Sequence, residues 1–134
     1  MSGKPEMLCV GYDAVLNRTR RLILRRCFEV DLAQSVAEAK LLLSGRQFVL
    51  VLLCYSLTDE ECCAMVEFVH GLPSAPKILA LGQERDWILS LGARDEEFQP
   101  RGPAELVMKA AAMAGMALEE AKDCLPDEPA RKSA

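Results

Sequence analysis

Six cysteines, one histidine and a cluster of arginines are the side chains here with the chemistry to attack, ligate or grip. The run at 48–57, FVLVLLCYSL, reads as a buried strand running out into a loop, with Cys54 at its carboxyl end. A cysteine there is placed as a nucleophile would be, but its activation needs a base within hydrogen-bond reach. His70 lies at the far end of the helix that follows, too distant to serve Cys54. There, before Gly71, it suits the negative end of the helix dipole. Cys62 and Cys63 are adjacent on a helix and point about 100° apart, which predicts one core and one boundary thiol rather than a redox pair. A zinc site needs several convergent ligands, and no spacing supplies them. Neither a Gly-x-Ser-x-Gly elbow nor a glycine-rich phosphate loop occurs. These residues predict a protein that is not an enzyme, with no metal and no cofactor.

The elements that position Cys54 can be read from periodicity. Residues 49–53 are apolar on both faces, as in a central parallel strand covered by helices, and 7–10 and 78–81 are similar runs ended by Gly11 and Gly82. Val15, Leu16, Thr19, Leu22 and Ile23 recur at helical spacing. So do Val36, Ala39, Leu42 and Leu43, and later Leu106, Val107, Ala110 and Met113. Ser35 with Glu38, and Thr58 with Glu61, fit capping boxes; Gly102-Pro103 puts proline in a first turn, and Gly45 and Gly71 supply stops. The pattern is β-α repeated five times, which predicts a parallel sheet with helices on both faces.

A chain of 134 residues, 51% hydrophobic and 5% aromatic, can bury one aliphatic core and has little room for a second. No apolar stretch reaches the length of a membrane span and the first residues lack the core of a signal peptide, so the expected location is cytoplasmic, away from any membrane. The cysteines are then expected as free thiols. From 117 to 134 periodicity gives way to proline and charge, which predicts a flexible C-terminal tail after a domain at 5–116.

The order of motifs resembles a response-regulator receiver domain, the phospho-acceptor module of two-component signalling. The resemblance covers about residues 5–116 and rests on the strand ending at Cys54, on Leu91-Gly92-Ala93-Arg94-Asp95 and on Gln99-Pro100, which follow that family's LGA-D and Lys-Pro spacing. It implies a flavodoxin-like (βα)5 three-layer sandwich with a five-stranded parallel sheet in the order 2-1-3-4-5, and a site at the carboxyl ends of the central strands. Position by position, however, the family's chemistry is missing. Its magnesium-binding acids fall on Gly11 and Tyr12, with Asp13 the nearby carboxylate. Its acceptor aspartate falls on Cys54, its hydroxyl residue on Leu81, its lysine on Gln99 and its aromatic switch on Glu96.

Phosphoryl transfer depends on positioning and on neutralising charge at the transferring oxygens, and magnesium wants hard oxygen ligands. Loss of the acids together with the lysine leaves a largely uncharged pocket and no stranded charge. The resemblance thus implies a stand-alone degenerate receiver that acts by phosphorylation-independent protein–protein interaction. Two alternatives stand beside it. One is a thiol sensor using Cys54, disfavoured because apolar neighbours predict an ordinary or raised thiol pKa; the other is a conventional phosphorylated regulator, with Asp13 slipped into an acidic position. Arg18, Arg20, Arg21, Arg25 and Arg26 give the first helix a basic surface, with Arg18, Arg21 and Arg25 as the candidate partner contact. That surface is either a dock for an acidic partner or an ordinary solvated face. The resemblance implies a histidine kinase, a phosphotransfer bundle or another signalling protein there, and a homodimer through the fourth helix, fifth strand and fifth helix. The small residues and methionines of 104–116 suit such a contact, although core packing alone also accounts for them. A net charge of −4 and the absence of interleaved aromatics argue against nucleic acid.

Overall fold

Apolar runs become strands in the computed structural model, which describes residues 4–54, 57–81, 96–98 and 103–123. The strands are β1 (Glu6–Val10), β2 (Glu29–Ala33), β3 (Leu50–Leu53), β4 (Lys77–Leu81) and a short β5 (Glu96–Phe98). The helices are α1 (Ala14–Leu24), α2 (Val36–Gly45), α3 (Asp59–His70), α4 (Pro103–Met113) and α5 (Leu118–Asp123). Here α4 is the fifth helix of the expected alternation, and any helix between β4 and β5 falls outside the described residues. Pairing is parallel, in the order β2-β1-β3-β4 with β5 beside β4, so the expected central order holds.

Both faces of the central strands are covered, which is why β3 is apolar at every position. Met7, Cys9, Leu52, Cys54 and Leu79 face one core with Leu24, Phe28 and the α4 residues Leu106, Val107 and Ala110. Leu8, Val10, Val51 and Leu53 face the other, with Ala39 and Leu43 of α2 and Cys62, Met65 and Val69 of α3. The result is three layers. Among the described residues no helix is long and apolar enough to cross a membrane.

Caps define the helix starts. Thr58 and Glu61 form the full capping box, and α4 begins at Pro103. Ser35 accepts from the Glu38 N–H as expected, but the Glu38 carboxylate accepts from the Gln34 N–H instead of closing the box on Ser35. As expected, Cys62 is core and Cys63 half-buried, and His70 ends α3.

Several expectations are corrected. Val15 and Leu22 are exposed, at 62% and 59%, because α1 turns Asn17 and Leu24 inward instead. Val49 is 41% exposed and precedes the strand. The segment expected as tail from 117 begins with α5, which buries Ala121 against the rest of the fold; residues 124–134 lie outside the described residues. Cys9, Cys54, Cys62 and Cys63 are free thiols, whereas Cys27 is disulfide-bonded.

Candidate functional site

At the carboxyl ends of β1 and β3 the ladder closes with two bonds, Gly11 N–H to Ala33 C=O at 3.0 Å and Cys54 N–H to Val10 C=O at 2.9 Å. Just beyond, Asp13 starts α1: one carboxylate oxygen accepts from the Val15 and Leu16 N–H groups at 3.0 and 3.1 Å. That start fixes the helix phase, and with it which side chains return over the strand ends. They are Asn17, only 1% exposed, and Arg20.

Asn17 Nδ2 donates to the Gly11 carbonyl at 2.8 Å, so the amide is held with its Oδ1 toward the sulfurs. Oδ1 lies 3.7 Å from Cys9 Sγ and 3.6 Å from Cys54 Sγ, close enough to accept from either thiol. The two sulfurs are 3.6 Å apart. Arg20 Nη1 donates to Cys54 Sγ at 3.2 Å, reaching over from the middle of α1.

The thiols therefore have different acidities. Cys54 is lowered from the ordinary cysteine value, first by the hydrogen bond from Cys9 and then, against burial and the opposing charge of Asp13, by the Arg20 charge and its hydrogen bond. Cys9 is raised well above it by its hydrogen bond to Cys54 and by burial. Cys54 ionises first because it is the sulfur that Arg20 touches. This overturns the expectation of an ordinary or raised Cys54 and of a largely uncharged pocket: the cation comes from α1.

Gly11 is where the backbone comes closest. A Cβ on it would stand 2.7 Å from Cys54 Cβ and 3.0 Å from its Sγ, so the bare glycine is what lets Cys54 sit beside β1. Tyr12 turns away, 47% exposed, and its hydroxyl donates to the Glu61 carboxylate at the start of α3. Leu81, 2% exposed, closes the end of β4 in the same core as Cys9 and Cys54.

Of the residues singled out from sequence, Gly11 and Cys54 meet directly, Leu81 shares their core and Asp13 caps the neighbouring helix. Arg18, Arg21 and Arg25 are exposed on and just after α1. Glu96 opens β5 opposite Leu79. The 91–95 stretch and Gln99-Pro100 lie outside the described residues. Sequence reasoning missed Cys9, Asn17 and Arg20 as site residues. The signal was Asp13 as N-cap, from which positions 17, 20 and 24 fall on one face.

No protein-family model matches the chain, and no curated protein matches its sequence. Solved structures do resemble it. The response regulator receiver protein from Burkholderia phymatum superposes with a TM-score of 0.72 at 22% identity, covering 85% of this chain and 98% of its own. The CheY-like receiver domain protein from Methanospirillum hungatei JF-1 gives 0.72 at 22%, covering 90% and 99%. The receiver domain of sensor histidine kinase PA1611 from Pseudomonas aeruginosa PAO1, which has a magnesium ion coordinated in its active-site cleft, gives 0.67 at 18%, covering 84% and 99%. The chain thus has the α/β fold of CheY-like receiver domains, and Cys54, Cys9, Asn17 and Arg20 gather at the carboxyl ends of its central strands.

Proposed function

We propose that the chain is a degenerate receiver domain of a two-component or phosphorelay system, a cytoplasmic binding module rather than an enzyme, acting without phosphorylation. The observation that carries this reading is the content of the cleft. A magnesium ion entering it would meet the Cys54 sulfur, the Asn17 amide oxygen and the Arg20 guanidinium, not a cluster of hard anionic oxygens. Asp13 is a carboxylate near enough to act on Cys54, but its Oδ1 is engaged at the α1 N-terminus, and Gly11 and Tyr12 offer no second one. The residues do not fit magnesium, and no phosphoryl acceptor carboxylate stands at Cys54.

The α1 surface supports the binding half of the reading. Val15, Arg18, Leu22 and Arg25 recur at helical spacing and are all exposed, with Arg21 alongside, giving a stripe in which apolar and cationic side chains alternate. Such a stripe fits an acidic, amphipathic helix of a kinase or phosphotransfer partner. Self-association through the β5 and α4 side is the second contact in this reading, read by light scattering across concentration.

Incubation with acetyl phosphate and magnesium, followed by intact mass, is the test. No phosphoryl adduct is expected, and no amide shifts on adding beryllofluoride. A stoichiometric adduct would falsify the proposal and restore the conventional regulator. Reversing Arg18, Arg21 and Arg25 to glutamate should weaken capture of a histidine-kinase or phosphotransfer bundle from the native cell; unchanged capture removes α1 as the contact.

A further inference from the structure

We propose that Cys54 and Cys9 form a peroxide-oxidisable dithiol, Cys54 as the attacking sulfur and Cys9 as the resolving one. The inference stands apart from partner binding, and either can fail alone.

Four features of the cluster point the same way. Two free thiols lie 3.6 Å apart on one face of the sheet. A guanidinium donates to one sulfur and not, in any described contact, to the other. Arginine is always charged, so its partner at 3.2 Å is matched as a thiolate and mismatched as a neutral thiol. Asn17 Oδ1, fixed by the bond to Gly11, gives the protonated sulfur an acceptor. An inert pair of core cysteines would need neither the cation nor the oriented amide.

Burial selects the oxidant. Cys9 is 0% and Cys54 2% exposed, which excludes bulky disulfides and leaves hydrogen peroxide, a molecule near the size of water. The Cys54 thiolate attacks one peroxide oxygen, the O–O bond breaks, and the departing hydroxide takes a proton to leave as water. Cys54 is then a sulfenic acid. Cys9 sulfur attacks the Cys54 sulfur, the S–O bond breaks, and that oxygen leaves as water carrying the Cys9 proton. In total two thiols lose two electrons and two protons, and one peroxide becomes two waters.

Bridging asks the backbone to yield. A disulfide needs about 2.05 Å between sulfurs. Cys9 pairs with Leu52, so Cys54 lies one step further along the same face, just past the last residue of β3. Closure therefore slides the end of β3 back along β1, where the ladder is already ending.

The test is dilute hydrogen peroxide on the whole protein, with intact mass and non-reducing peptide mapping. Expected is a loss of two hydrogens, a Cys9–Cys54 cross-linked peptide, and reversal by dithiothreitol. Cys9→Ser should stop at a sulfenic acid on Cys54, read as the gain of one oxygen in the intact mass, and Cys54→Ser should leave Cys9 reduced. Arg20→Gln should slow the reaction by about tenfold per unit rise in thiol pKa, and Arg20→Lys should recover part of the rate, a pattern that packing alone would not give. Oxidation of the pair no faster than that of half-buried Cys63, a persistent sulfenic acid in the parent protein, or an unchanged rate in Arg20→Gln each overturns the proposal.

Discussion

A guanidinium beside a buried sulfur stabilises the thiolate relative to the thiol, and at Cys54 this has a definite pH signature. The lowered pKa means that the folded state ionises Cys54 more readily than the unfolded chain does. Its contribution to stability is therefore fully present above the unfolded value of about 8.5 and is lost as pH falls through the lower folded value. Cys9, raised, acts in the opposite sense above that point, so the benefit belongs to the first ionisation only. The thiolate absorbance that Cys54→Ser removes should be half-maximal below the ordinary cysteine midpoint, and Arg20→Gln should move that midpoint upward. A midpoint at or above the ordinary thiol value in the parent protein would refute the Arg20–thiolate pairing.

At the scale of elements, the same contact depends on where α1 begins. Asp13 sets that start by accepting from Val15 and Leu16, so Asp13→Ala should lower stability by about 1 kcal/mol, seen as a lower denaturant midpoint with unchanged slope. Added magnesium should stabilise neither protein. If it stabilised the parent and not Asp13→Ala, the carboxylate would be a metal ligand rather than a cap. The helix also shows what the sequence could and could not disclose. β1, β3 and β4 were legible because a central parallel strand must be apolar on both faces, and Thr58 and Pro103 were legible because caps are local. The face of α1 was not, because its inward residues Asn17 and Arg20 are polar and answer to a cleft rather than to a core. Apolar periodicity then selected Val15 and Leu22, which face outward. β2 carries acids at Glu29 and Asp31 and gave no apolar run, since an edge strand needs less. Cys54 was located correctly, but its environment depends on a residue 34 positions away, which no local window contains.

On the scale of the whole molecule, the bare Cα of Gly11 constrains how this cleft could ever be rebuilt. In the receiver reading proposed above, position 11 stands where a metal-binding acid would, and any side chain there begins with a carbon 2.7 Å from Cys54 Cβ. Gly11→Ala alone should therefore cost about 1–3 kcal/mol through overpacking, read as a lower thermal midpoint. Exchanging Cys54 for aspartate leaves that collision intact, because the carbon it meets belongs to every residue except glycine. A carboxylate restored at position 11 must therefore prise apart the ends of β1 and β3 as it enters. Backbone spacing burdens the route back, so a repaired sequence on this scaffold would inherit the clash before it inherited the chemistry.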